Sequence, residues 1–212
     1  MSDKLDYKKE YKDLYQPGKK PVLVEVPPIP MFLTDGAGDP NGADYQSAMN
    51  ALYSLTFTLK MSKMGPWQPE GYFDYVLPPL EGFWARADGD PDLMGAPKET
   101  WLWTSGLRAP DYCTGDVFAW AVEEVRKKKP EVDIGRVRLE TVEEGLCVQC
   151  LHIGPYMAEG PTIQAMHEFA REQGYRPSAD LKRRHHEIYL GDPRKTAPEK
   201  WRTVLRTPLE RG

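Results

Sequence analysis

Apolar residues recur along this chain with two different periods, and together these predict a mixed α+β fold. Alternation with a period of two is typical of half-buried strands, and it predicts strands at about 21–26, 31–34, 72–77, 82–86, 100–104, 137–142, 146–153, 185–190 and 201–206. Apolar spacing of three and four predicts helices from Asp44 to about residue 60, from a Thr114 cap to about Lys128, and from Pro161 to Gly174.

The order of these elements repeats, because each half reads strand, strand, helix, strand, strand. We therefore predict two fused copies of one unit. The predicted bounds are 1–20 for a charged N-terminal arm and 21–212 for one domain, in which half-repeats at about 21–87 and 136–209 flank an insertion with a helix at 88–130.

Two such units predict antiparallel sheets with helices packed on one face. Pairing of the halves about a pseudo-twofold axis would leave the other face open as a groove, lined by the outward side chains of the inner strands. Sites for small molecules usually combine apolar walls with a few placed polar groups. The architecture therefore favours a ligand groove.

The strand at 185–190 places an acid on an amphipathic face. Alternation points His186, Ile188 and Leu190 one way, and His185, Glu187 and Tyr189 the other. The chain contains 6 Trp and 11 Tyr, and an acid walled by such rings loses solvation, which raises its pKa. The pattern indicates a pocket for a planar aromatic or cationic small molecule.

Charge and cysteine usage remove several classes of function. The net charge of −4 is not the basic footprint of a nucleic-acid-binding protein. No apolar run approaches transmembrane length, and the N-terminus lacks the apolar core of a signal peptide. Cys147 and Cys150 would face opposite sides of a strand, and the four His form no metal set. We expect a cytoplasmic monomer or homodimer without metal, cofactor, nucleic-acid or membrane partner.

Three stretches of the chain resemble a known family. They are P-L-E-G-F-W at 79–84, W-L-W at 101–103 followed by R-A-P-D-Y at 108–112, and H-E-I-Y-L-G-D-P-R at 186–194. The resemblance is to the GyrI-like small-molecule-binding domains, and within them to the stand-alone branch of cyclopropanoid cyclopropyl hydrolases. It extends from about residue 21 to 209. Phe83 and Ala109 depart from the pattern, which has Leu and a polar residue there.

The resemblance implies a fold and an activity. The fold is a tandem strand-helix-strand-strand (SHS2-type) repeat shared with multidrug-sensing regulators, and the activity is hydrolysis of electrophilic cyclopropyl-dienone toxins. For this reaction we hypothesise that Glu187 acts as the base that activates water and that Tyr156 hydrogen-bonds the dienone oxygen. The expected ligand contacts are Trp84, Trp103, Tyr189 and Tyr112.

Simpler interpretations stay open for each residue and for the whole chain. Glu187 could pair with a cation on an exposed strand, the two Trp could be core residues, and Tyr156 could anchor a turn. The chain could also bind and sequester aromatic drugs without chemistry, or act on gyrase as an interacting protein. Loss of turnover in Glu187→Gln without loss of folding would separate the hydrolase from the binding module.

Overall fold

A computed structural model of the chain describes residues 4–89, 95–178 and 185–212. Within these ranges the α-helices are α1 Tyr7–Glu10, α2 Lys12–Tyr15, α3 Ala43–Lys60, α4 Gly115–Lys128 and α5 Gly160–Glu172. The strands are β1 Val22–Val26, β2 Ile29–Ala37, β3 Leu80–Arg86, β4 Trp101–Arg108, β5 Arg138–Val142, β6 Gly145–Ile153, β7 Tyr175–Pro177, β8 His185–Tyr189 and β9 Arg202–Arg211.

The strands form one antiparallel sheet whose two halves mirror each other. The order is β1-β6-β9-β8-β3-β4-β2-β5, and β7 pairs with β9. The trio β6-β9-β8 thus matches β2-β4-β3, and the trios meet where β8 pairs with β3. The outermost strands are exchanged, since β1 pairs with β6 and β5 pairs with β2. The predicted α+β class with antiparallel pairing is confirmed.

Helices α3 and α5 pack on the same face of this sheet. Leu205 of β9 packs against Met166 and Ala170 of α5, and Ser105 of β4 donates a hydrogen bond to Tyr45 of α3 at 3.3 Å. Helix α4 packs against α3. Helices α3 and α5 therefore lie on the same face of the sheet, as a repeated unit predicts.

The opposite face, which we expected to form the open groove, is covered by the N-terminal segment. The Tyr15 hydroxyl donates to Glu81 at 3.1 Å, and Arg206 donates to the Leu14 carbonyl at 2.7 Å. The Arg108 guanidinium lies between the rings of Tyr7 and Tyr11, at 4.8 and 4.1 Å from their centroids. The predicted arm at 1–20 thus contains helices α1 and α2, whose buried residues Tyr7, Leu14 and Tyr15 belong to the core.

Two segments differ from the sequence-based prediction. The strand expected at 72–77 is wrong, because that stretch makes one bridge, Tyr75 with Leu5. Asp74 is instead held by Lys60 and Lys63, and the prolines that follow lack the N–H groups that a ladder needs. The stretch 88–130, expected as an insertion, contributes β4 between β3 and β2; the half-repeat bounds stay a prediction.

None of the helices in the described part of the chain is both long enough and apolar enough to cross a membrane.

Candidate functional site

Glu187 lies near the middle of the sheet, where β8 pairs with β3. Its partner across the ladder is Gly82, which has no side chain to fill the space beside it. A Cβ at Gly82 would lie 2.7 Å from Trp84 Nε1 and 2.9 Å from the Tyr189 hydroxyl. Gly82 therefore leaves room for these two side chains to meet beside the acid.

A chain of hydrogen bonds orients the Glu187 carboxylate. Trp84 Nε1 donates to the Tyr189 hydroxyl at 3.0 Å, and that hydroxyl donates to Glu187 Oε2 at 2.9 Å. Only 5% of Glu187 is exposed. The acid is thus held by one donor on one oxygen, and the other oxygen points toward His185, whose Nε2 lies 3.7 Å away.

A second acid, Glu159, converges on the same point from the turn before α5. It is fully buried, and neither carboxylate oxygen makes a hydrogen bond of normal geometry within the described ranges, although the Thr203 hydroxyl lies close enough to lower its pKa somewhat. Glu159, His185 and Glu187 each place one oxygen or nitrogen atom within 4.8 Å of the others. Sequence reasoning missed Glu159, although it stands three residues after Tyr156 in the turn Y-M-A-E-G-P.

Burial separates the protonation states of these groups. It raises the pKa of Glu187 to about 7, and burial together with the nearby Glu187 charge raises the pKa of Glu159 to about 10. Burial also lowers the pKa of His185 to about 3. Near neutral pH the two buried acids therefore retain a proton, held more firmly by Glu159 than by Glu187, and His185 is neutral.

Aromatic rings close the site on the α3 side. Tyr45 stacks on Trp84 with 6.3 Å between centroids, and its ring meets Trp103 edge-on at 4.9 Å. Trp103 is 1% exposed, and its ring lies over Gly36, where a Cβ would approach to 2.1 Å. Tyr45 was not predicted from the sequence, because its place in the first turn of α3 is explained equally well by packing.

Tyr156 lies between the buried acids and an open cleft. Its ring meets that of Tyr189 edge-on, with 5.4 Å between centroids, and lies 4.6 Å, centroid to centroid, from the ring of Trp201. The cleft has a volume of about 250 Å³ and is lined by Tyr156, Leu190, Gly191, Asp192, Thr196, Lys200, Trp201 and Arg202. A ligand that reached Glu187 from this cleft would pass Tyr156.

The reverse side of β8 carries a separate, tightly paired cluster. His186 Nε2 lies 2.9 Å from Glu81 and its Nδ1 lies 3.0 Å from Glu144, which also pairs with Arg206 at 3.1 Å. Phe83 stacks on the imidazole with 4.0 Å between centroids. These charges compensate each other, whereas Glu159 and Glu187 pair with no Lys or Arg in the described part of the chain.

The structure brings together five of the six site residues that the sequence suggested. Hydrogen bonds link Trp84, Tyr189 and Glu187. The ring of Tyr156 contacts that of Tyr189. The ring of Trp103 contacts Tyr45, which stacks on Trp84. The sixth, Tyr112, lies apart, packed against Tyr72 and Phe73 with 5.2 Å between ring centroids in both pairs.

Known proteins are similar to this chain over much or nearly all of its length. A model of the GyrI-like small molecule binding domain matches residues 101–210. A crystal structure of an uncharacterized conserved protein from Listeria innocua is 48% identical, with a TM-score of 0.92, over 98% of this chain and 100% of that one. A structure described as a hydrolase from Listeria innocua is 47% identical, with a TM-score of 0.89, over the same shares of the two chains.

More distant structures share the fold alone. The C-terminal domain of EcmrR is 12% identical, with a TM-score of 0.56, over 91% of this chain and 98% of that domain. No curated protein matches the chain. The family model spans about half of the chain and the Listeria structures nearly all of it, so the chain belongs to the GyrI-like small molecule binding domain family.

Proposed function

We propose that this protein is a hydrolase that opens electrophilic cyclopropyl-dienone rings, with Glu187 as the base that activates water. The observation that carries the proposal is the pair of buried acids, Glu187 and Glu159, enclosed by aromatic rings next to a cleft. The hydrolase description of a structure 47% identical to this chain supports the same class of reaction.

The two carboxyl groups suit different tasks because their pKa values are separated. A base works best when its pKa lies near the working pH, and the pKa of Glu187 is raised to about 7. Glu159, whose pKa is raised to about 10, keeps its proton and can donate a hydrogen bond to the water. Acid and base assignments in enzymes commonly follow such a separation.

The proposed reaction needs few protein groups. Glu187 takes one proton from water as the water oxygen bonds to a cyclopropane carbon. The strained C–C bond breaks, and its electron pair moves through the dienone to the carbonyl oxygen, which becomes a phenolate and then takes a proton from solvent. Ring strain already lowers the barrier, so orientation and one base supply the remainder.

Tyr156 is placed to stabilise the charge that develops on the dienone oxygen. Burial raises its pKa, so the phenol stays protonated and can donate. It lies between the cleft and the acids, in contact with Tyr189. Trp84 stands beside the base and offers the planar dienone an aromatic surface to pack against.

A second candidate function is binding without chemistry. Two buried acids beside Tyr45, Trp84 and Tyr189 would also attract an aromatic cation, through charge and through the faces of the rings. In that case Glu187 contributes affinity, and no product forms.

Turnover of a cyclopropyl-dienone compound, followed by the absorbance change on formation of the phenol, separates the two functions. The wild type should turn the compound over, and Glu187→Gln should lose at least about 100-fold, the usual contribution of a general base. Glu172→Gln, an exposed acid on α5, is the matched control and should keep full activity. Binding without turnover in the wild type would establish the sequestering module instead.

A further inference from the structure

Three side chains with metal-binding atoms converge inside the protein, and hydrolysis as proposed above uses only part of them. Glu159 reaches in from the turn before α5, and His185 and Glu187 lie on the same side of β8. One atom of each lies within 4.8 Å of the other two, and His185 Nε2 is 3.7 Å from Glu187 Oε1.

These atoms lack the partners that buried polar groups normally have. Both oxygens of Glu159 and Nε2 of His185 make no hydrogen bond of normal geometry among the described residues, the Thr203 hydroxyl near Glu159 included, and Glu159 is 0% exposed. Neither acid forms an ion pair with Lys or Arg within those ranges. The cluster on the reverse side of β8, in contrast, includes Arg206. Among the described residues, the Glu187 side therefore has two buried acids and no Lys or Arg paired with them.

We propose that Glu159, His185 and Glu187 form a binding site for one divalent transition-metal cation, with Zn²⁺ as its probe. Two carboxylates and one neutral imidazole would balance the charge of the ion. Oxygen and imidazole nitrogen are common ligands of zinc, which often binds three protein groups and keeps a fourth position open.

The surroundings of the site fit this assignment. The Tyr189 hydroxyl donates to Glu187 Oε2 at 2.9 Å, which leaves Oε1 directed toward His185. Such a hydrogen bond from outside the ligand set is typical of metal sites. Zinc bonds of about 2.1 Å place neighbouring ligands about 3.4 Å apart, so the 3.7 Å pair is nearly in place. A rotation of the Glu159 side chain would complete the set.

A bound cation would hold the Glu187 oxygen that the proposed reaction needs as its base. Zn²⁺ is therefore expected to inhibit turnover, which makes the site a point of regulation rather than a catalytic metal centre. The binding itself does not depend on the proposed function, because it requires no substrate.

Isothermal titration calorimetry of the chelator-treated full-length protein with Zn²⁺ tests the site. The wild type should bind one equivalent. Glu159→Gln and His185→Asn should each weaken binding by at least about 10-fold, the lower limit known for residues that merely support a metal ligand. Circular dichroism shows whether each variant is folded, and Glu159→Gln keeps the shape of the side chain while it removes the carboxyl group that would ionise to bind the metal.

Two further variants exclude other binding modes. Cys147→Ser tests the buried C-x-x-C thiols, and Glu172→Gln tests an exposed acid; both should bind Zn²⁺ as the wild type does. Absence of binding in the wild type, retention in either ligand variant, or loss in Cys147→Ser overturns the proposal. Zn²⁺ binding combined with no turnover by the metal-free protein would refute the proposed hydrolysis alone, and turnover by a protein that does not bind Zn²⁺ would refute the metal site alone.

Discussion

At the scale of single residues, the chemistry of Glu187 depends on one hydroxyl. Tyr189 donates to Oε2 at 2.9 Å and thereby stabilises the ionised form of the acid. This hydrogen bond lowers the pKa of Glu187, while burial raises it to about 7. Tyr189 is thus a positioning residue in the proposed reaction, because it acts through the carboxylate.

Replacement of Tyr189 by Phe should move the pH profile of turnover. Without the donated hydrogen bond the pKa of Glu187 rises further, so the base form appears only at higher pH. We expect kcat/KM to fall several-fold at pH 7 and to recover in part toward pH 9, as measured by initial rates across that range. Tyr175→Phe, in β7, should leave the profile unchanged. An unshifted profile in Tyr189→Phe would show that the hydroxyl does not tune the base.

At the scale of elements, the pairing of β3 with β8 creates the site. This pairing joins the two halves of the sheet and sets Gly82 opposite Glu187. Two strands that each carry large side chains at the facing positions would fill this space. The site therefore exists because one strand supplies the acid and the other supplies a glycine.

Gly82→Ala should test this complementarity. The added Cβ would lie 2.7 Å from Trp84 Nε1, so the indole or the Tyr189 ring must move. We expect a loss of about 1–3 kcal/mol in the free energy of unfolding, typical of overpacking, together with reduced turnover. Urea denaturation and initial rates measure the two effects.

Gly115→Ala is the matched control, since nothing lies within 4 Å of a Cβ placed there, at the start of α4. It should leave stability and turnover close to those of the wild type. Equal behaviour of the two variants would contradict the steric argument for Gly82.

At the scale of the whole molecule, the cluster around His186 ties distant parts of the chain together. Glu144 from the segment before β6, Glu81 from β3 and Arg206 from β9 meet at the imidazole. Tyr15 of α2 joins them through Glu81. Despite its burial, Glu144 has a pKa lowered to about 2 by His186 and Arg206. Its charge therefore contributes to the stability of the assembled fold.

Glu144→Gln should destabilise the protein by roughly 3–5 kcal/mol at pH 7, because it leaves buried charges without their partner. In the wild type, the contribution of Glu144 is complete above its usual pKa of 4.5 and is lost as the pH falls toward 2. Thermal unfolding between pH 7 and pH 3 measures both effects. The variant should lose less stability than the wild type over the acid range.

Glu143→Gln provides the matched control, since Glu143 is the exposed neighbour of Glu144. It should unfold as the wild type does at each pH. A Glu144→Gln variant as stable as Glu143→Gln would mean that the cluster contributes no net stability.

Much of the fold follows from local patterns. Alternation in H-H-E-I-Y correctly separated the side chains of β8, with Glu187 on one side and His186 on the other. Helical spacing located α3, α4 and α5 to within a few residues. The strand expected at 72–77 failed because alternation alone does not reveal whether a neighbouring strand is available to complete the ladder.

The sequence by itself determined the α+β class, the three long helices and most of the strands, because these depend on periods of two and 3.6 residues that are local to the chain. Only the tertiary structure decided which residues share a site. Glu159 and Glu187 are distant in sequence, and they meet because α5 packs on β6 and on β9, the strand that pairs with β8. The same long-range packing placed Tyr112 elsewhere and laid the N-terminal segment over the face that local patterns left open.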